Sequence, residues 1–166
     1  MDVLQARGVD SELVSLKDKS LGRCDPSATL TSEAFGDLDE VTASADGLIL
    51  ASPVYNWGIC SELKKYVECV GHTDSSRRSP FFDKVLTFVA AAGLPHSYTA
   101  FGPLALSMMM DFKCIINPYT VYVHNRHWEG EQIIDEAKSR IDKSMLVMTE
   151  LTNLLKARTY FSVWEI

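Results

Sequence analysis

No two cysteines of this sequence stand in C-x-x-C spacing; Cys24, Cys60, Cys69 and Cys114 are scattered singly. That argues against a metal site or redox motif built on such a pair. Scattered cysteines in a domain of this size also fit a reducing cytoplasm better than a disulfide scaffold. Basic runs are missing too. Lys and Arg number 16 against 22 Asp and Glu, for a formal charge of −6 and a pI near 5.2. Nucleic acid and anionic membrane are therefore poor partners, and Lys64-Lys65 and Arg77-Arg78 read as solvated pairs. No apolar run approaches the length of a membrane span, and "MDVLQARGVDSEL" has neither the charged start nor the apolar core of a signal peptide. A soluble, cytoplasmic protein is expected. The sequence shows no repeat, no low-complexity segment and no convincing nucleophile triad or carboxylate pair.

What is present is an ordinary globular composition, 46% hydrophobic and 23% charged over 166 residues, enough for one domain with a sizeable core. "MDVLQAR" reads as the last turn of a helix and "GVDSELVSL" (8–16) as a strand. Residues 17–35 are polar and turn-rich and read as a loop. A short helix is expected over 37–45, with Asp37 as cap and Glu40 three residues on, as in a capping box. "DGLILAS" (46–52) is a short apolar run bounded by breakers, as a strand covered on both faces would be.

The period then changes. Leu63, Tyr66, Val67 and Val70 recur at helical spacing and Gly71 follows as a stop. "TDSSRRSP" reads as a polar loop, "KVLTFVAAAG" (84–93) as a buried strand, and Pro103 as the start of a helix running to about Phe112. "KCIINPYTVYV" (113–123) is a strand with an edge or bend at Pro118. Residues 134–155 form a long amphipathic helix, and the methionines at 108–110, 145 and 148 read as core filler. Strands alternating with helices imply right-handed βαβ units, a parallel sheet and helices on both faces. The expected fold is a flavodoxin-like three-layer α/β sandwich.

In such a sheet, ligands bind beyond the carboxyl ends of the strands. Two loops qualify, Pro53 to Cys60 and "GLPHSYTAFG" (93–102), because each joins a buried strand to a helix N-terminus rich in free N–H groups. A flat heterocycle with polar edges suits both: Tyr55 and Trp57 offer apolar faces, and Asn56 with backbone amides offers hydrogen bonds. For Trp57, stacking on a ring or a subunit and simple local packing both stay open. His124 and His127 stand three apart without an obvious third ligand and read as surface loop. Cys60 opens a helix and reads as a small structural residue.

"ADGLILASPVYNWGICSELKKYVE" resembles the central motif of the NADPH-dependent FMN reductase family: a strand, a P-x-Y-N loop, then a helix opening with small residues and L-K. Pro53, Tyr55, Asn56, Leu63 and Lys64 carry the likeness, Gly93 resembles the family's glycine after the next strand, and "INPYTVYV" and the last helix fit its end. The resemblance covers about residues 1–157. It implies a bound FMN, with Pro53, Val54, Tyr55, Asn56 and Trp57 along the isoalloxazine and Gly93, Leu94 and His96 near its pyrimidine edge or the nicotinamide. The implied reaction takes hydride from NAD(P)H through the flavin to a quinone, flavin or similar small acceptor, in a homodimer or homotetramer. Arg77 or Arg78 is the candidate for an NADPH 2′-phosphate.

The departures are specific. The family opens with a strand and a Gly-Ser-x-Arg-type loop that cradles the FMN phosphate, whereas Met1 stands near the end of what should be the following helix. The expected domain is thus an N-terminally incomplete sandwich over 1–158, its central first strand either missing or replaced by the aromatic tail "TYFSVWEI" (159–166). Cys60, Lys65 and the stretch His96-Ser97-Tyr98 replace residues common in the family. The alternative function is a non-catalytic or truncated relative that no longer binds FMN tightly.

Overall fold

The computed structural model describes residues 1–19, 21–22, 24–25, 32–71 and 78–164. In chain order the elements are α1 (Asp2–Gln5), a 3-10 turn (Leu16–Asp18), α2 (Glu33–Ser44), β1 (Gly47–Tyr55), β2 (Gly58–Ile59), α3 (Ser61–Val70), β3 (Val85–Ala92), α4 (Gly102–Phe112), β4 (Ile115–Ile116), β5 (Val121–His124), a second 3-10 turn (Asn125–His127), the small hairpin β6 (Trp128–Glu129) and β7 (Gln132–Ile133), and α5 (Asp135–Lys156).

β1 and β3 run parallel in unbroken register from Gly47 opposite Val85 to Pro53 opposite Ala91. β4 and β5 share the far edge of β3, parallel to its start and its end respectively. They are the two halves of the strand expected over 113–123. Pro118 has no N–H to give a ladder, and the Asn117 N–H still reaches the Leu86 carbonyl at 2.8 Å, so register is kept across the break.

Alternation along the strands sorts the layers. Leu50, Leu86, Phe88 and Ala90 face the main core, which α2, α3 and α4 close with Phe35, Leu38, Leu63, Tyr66, Val70, Met108 and Phe112. The opposite face meets α5: a Cβ on Gly47 would stand 3.1 Å from the Met148 methyl and 3.0 Å from Thr152 Oγ1, so a side chain there would crowd the helix. Buried Asn117 ties the same face together, donating to Thr87 Oγ1 and the Ser144 carbonyl, both at 2.9 Å. The result is the expected α/β sandwich with a mostly parallel sheet.

Three expectations are corrected. Residues 8–16 form no strand: their composition suits one, but a strand exists only with a ladder partner, and none lies beside them among the described residues. Leu13 is 79% exposed, while Val14 and Leu16 pack on the core from a non-strand segment. The helix expected over 37–45 begins earlier, at Glu33. Ser32 Oγ accepts from the Phe35 N–H at 3.2 Å as its cap, because Phe35, Leu38 and Thr42 form an apolar-side face that starts before Asp37. Asp37 instead pairs with Lys19 at 2.7 Å on the surface.

Residues 159–164 do not replace a strand. Among the described residues, 159–164 have no ladder pairing, and the outer edge of β1 is paired only at Val54 and Tyr55, by β2. Aromatic packing captures the tail elsewhere. Trp164 stands 5.8 Å from Phe82 and 6.1 Å from Phe112, ring centre to ring centre. Ser162 donates its N–H and its hydroxyl to the buried Asp83 carboxylate at 2.8 and 2.5 Å. These contacts lie at the amino end of β3. Arg78 stands over Phe161 in the same place, away from the loops at the carboxyl end. Arg77 and most of the "TDSSRRSP" loop lie outside the described residues.

Candidate functional site at the carboxyl end of the sheet

Because Pro53 is opposite Ala91 in the ladder, the loops leaving β1 and β3 start side by side. β1 does not pass straight into α3. It turns back through Asn56 and Trp57 into β2, with Tyr55 opposite Gly58. Both turn residues are left-handed, at φ 48° and 65°, the positive-φ pair that a tight two-residue hairpin of matching twist requires. Neither is glycine, so the turn carries backbone strain, and strain of this kind gathers at ligand sites. Ser52 braces the hairpin base: its buried Oγ accepts from the Cys60 N–H at 2.9 Å and donates to the Pro53 carbonyl at 2.7 Å. The hairpin therefore presents its tip at a fixed angle.

That tip is apolar and open. Tyr55 is 65% and Trp57 62% exposed, with Pro53 and Asn56 also exposed, while Val54 packs back on the core. Cys60, at the cap of α3, is buried in the core cluster. The second loop adds exposed Gly93, Leu94, His96 and Tyr98. The Tyr122 hydroxyl pins it, donating to the Leu94 carbonyl at 2.5 Å and accepting from the Ser97 N–H at 3.2 Å. A hairpin and a pinned loop thus leave adjoining strand ends with exposed aromatic faces, the surroundings a planar ring needs.

A third loop, missed as functional, stands at the same end. β5 ends at His124, opposite Ala92, and a Cβ on Gly93 would lie 3.9 Å from Asn125 Nδ2. The His124 and His127 rings are 4.0 Å apart. His124 Nδ1 accepts from the Arg126 N–H, and His127 Nδ1 accepts from the His124 N–H. Desolvation, then the nearby His127, Arg126 and Arg140, lower the His124 pKa against the opposing pull of Glu136. The available signal was the position of "HNRH" directly after a strand in the same sheet. Among the described residues, no three His, Cys, Asp or Glu side chains gather as a metal site.

A groove of about 330 Å³ between residues 12–19 and α2 is lined by Glu12, Asp18, Lys19 and Asp37. It lacks the aromatic faces of the loop cluster. No helix of the described chain is long and apolar enough to cross a membrane.

Among solved structures, the fold is similar to that of an oxidoreductase from Corynebacterium diphtheriae, at a TM-score of 0.71 and 16% identity, covering 92% of this chain and 82% of that one. It is also similar to FerB, a flavoenzyme NAD(P)H:(acceptor) oxidoreductase from Paracoccus denitrificans, at a TM-score of 0.70 and 12% identity, covering 93% and 84%. A curated relative, an iron–sulfur flavoprotein of Methanocaldococcus jannaschii, is 32% identical over 75 residues. That stretch is 41% of this chain and spans only 39% of the relative's length. The family model for NADPH-dependent FMN reductase matches residues 1–126, from the first helix through β1, the Tyr55–Trp57 hairpin, the Gly93 loop and β5, and the chain belongs to that family.

Proposed function

We propose that this chain is an FMN-dependent NAD(P)H oxidoreductase serving a small-molecule electron acceptor such as a quinone or a flavin. The observation that carries this reading is the pairing of Pro53 with Ala91, which sets the exposed Tyr55–Trp57 hairpin beside the pinned 93–102 loop. FMN, when bound, supplies the hydride chemistry between NAD(P)H and the acceptor.

The residues present fit the ring of such a cofactor. Tyr55 and Trp57 would cover an apolar face, and Asn56 and the Gly93–Leu94 backbone would meet polar ring edges. His96 would stand at the rim, where it would orient a nicotinamide or an acceptor. Closure of such a site around the ring excludes water and strengthens each hydrogen bond to it. The phosphate is a different matter. Residues 53–61 and 93–102 contain no Lys or Arg, so these loops could offer the phosphate only backbone N–H groups and neutral side chains.

That lack favours a second reading, a relative that keeps the ring-facing loops and binds FMN weakly. Charge-assisted contacts to a phosphate are each of order 1.5–3 kcal/mol, so losing a few costs several tenfold steps in affinity. Titrating the purified chain with FMN and with riboflavin, followed by flavin fluorescence and NAD(P)H oxidation, separates the two. Tight FMN binding with NAD(P)H turnover supports the oxidoreductase. Equal and weak binding of both flavins supports the second reading, and no binding of either sinks both.

A further inference from the structure

The two ring-facing loops carry no cation, since residues 53–61 and 93–102 contain no Lys or Arg. The loop that leaves β5 at the same end of the sheet carries one, Arg126. The ladder places it: His124 stands opposite Ala92, and a Cβ on Gly93 would lie 3.9 Å from Asn125 Nδ2. The turn is braced. His124 Nδ1 accepts from the Arg126 N–H at 3.3 Å, and His127 Nδ1 accepts from the His124 N–H at 3.4 Å. The Ile134 N–H closes the loop on the His127 carbonyl at 3.0 Å. A neutral imidazole that accepts at Nδ1 holds its proton at Nε2. Both rings, 4.0 Å apart and half-buried, therefore keep an Nε2–H donor that no described residue accepts. Arg126 is exposed, and among the described residues its guanidinium enters no ion pair or side-chain hydrogen bond. Of the α5 charges felt at His124, Arg140 reinforces the positive field of the turn and Glu136 opposes it.

We propose that His124, Arg126 and His127 form an anion site for the phosphate of a nucleotide whose ring lies against the Tyr55–Trp57 hairpin and the 93–102 loop. The guanidinium fork matches two phosphate oxygens at once, and the imidazole N–H groups donate to the same anion. A nucleotide suits the layout because it joins a flat ring to an anion through a sugar. β3 lies between β1 and β5, so its loop separates an aromatic hairpin from a basic turn. Arg78, the sequence candidate for a phosphate contact, stands instead over Phe161 at the amino end of β3. The phosphate can belong to a flavin nucleotide or to a nicotinamide dinucleotide, since both present the same chemistry to the turn. The ring half of this assignment rests on the oxidoreductase reading, while the anion contacts require neither flavin nor turnover.

Titrating the isotope-labelled full chain with inorganic pyrophosphate, followed by amide NMR, tests the anion contacts alone. Saturable shifts confined to residues 124–127 and the Gly93 loop are expected. Arg126→Ala, at an exposed position, should weaken pyrophosphate roughly tenfold, the scale of one charge-assisted contact, and Arg126→Lys should restore part of it. A parallel comparison identifies the source of the phosphate. If the flavin supplies it, Arg126→Ala lowers FMN affinity about tenfold and leaves riboflavin unchanged. If the dinucleotide supplies it, KM for NADH or NADPH rises about tenfold, while dihydronicotinamide riboside, which has no phosphate, is oxidised as before. A chain that oxidises no hydride donor yet keeps the Arg126-dependent pyrophosphate shifts sinks the oxidoreductase reading and upholds the anion site. Pyrophosphate shifts that are absent, scattered over the surface or unchanged in Arg126→Ala would overturn the proposal. So would a turnover-competent Arg126→Ala chain whose FMN affinity and NADH KM are both unaltered.

Discussion

The Tyr122 hydroxyl joins two points of the loop after β3, donating to the Leu94 carbonyl at 2.5 Å and accepting from the Ser97 N–H at 3.2 Å. β5 thereby controls the shape of a loop that belongs to β3. Tyr122→Phe keeps the ring in the core and removes only this tether. The expected stability loss is about 1 kcal/mol, the net value of such hydrogen bonds. FMN affinity should fall by more than that loss alone suggests, since a looser loop adds ordering entropy to binding. Urea denaturation alongside a fluorescence titration checks both. A variant with unchanged flavin affinity would show that the loop is not part of the site.

Trp57 holds a left-handed backbone at φ 65° while exposing its indole. Trp57→Gly relieves the backbone and deletes the ring, so stability and binding should move in opposite directions. The expectation is a gain of about 0.4–1 kcal/mol in stability and a loss of roughly tenfold in flavin affinity from missing stacking. Thermal melts with and without FMN separate the two effects.

Asn117 is fully buried and bridges three elements: it donates to Thr87 on β3 and Ser144 on α5 and accepts from the Tyr119 N–H at 3.0 Å. Asn117→Ala strands buried partners and opens a void, and about 2–4 kcal/mol of stability should be lost. A denaturant midpoint shift with an unchanged slope is the expected signature.

His124 has its pKa lowered, chiefly by desolvation and then by the nearby His127, Arg126 and Arg140. Below the unfolded value the unfolded chain binds the proton more readily than the folded one, so stability contributed by neutral His124 is lost as pH falls through that window. Protonation also removes the Nδ1 acceptor that caps the 125–127 turn. NMR titration should place the His124 midpoint below the usual 6.5, and the Arg126 amide should shift with it. A midpoint at or above the ordinary value would contradict the packing described.

At the opposite end of the sheet, Ser162→Ala removes one of two hydrogen bonds to the buried Asp83 carboxylate. The expected cost is about 1–3 kcal/mol, the range for a bond to a charged group. Flavin binding should not change, because the tail is anchored at the amino end of β3. Proteolysis at 159–164 should become faster.

Much of the scaffold was legible because its elements carry a local signature. The Leu63–Val70 spacing, the breakers around "GLIL" and the glycine after "VAAA" each dictate period or punctuation within a few residues. The hairpin was not legible. Asn56 and Trp57 lack the glycine that normally marks a tight turn, and their positive φ is imposed by the β1–β2 pairing and the Ser52 brace. Nor was His124 legible as a neighbour of Gly93, since only the β3–β5 register brings them together.

The sequence by itself determined the βαβ order, the apolar strands and the open aromatic stretch from Pro53 to Trp57, because these depend on composition and spacing along the chain. Everything that depends on which distant segment meets which was decided by tertiary structure. Residues 8–16 have strand composition but no partner, so they pack as an irregular segment. The tail has strand composition too, yet Asp83, Phe82 and Phe112 capture it elsewhere. Propensity is a local energy of a few tenths of a kcal/mol per residue, and burial and pairing against a particular neighbour outweigh it.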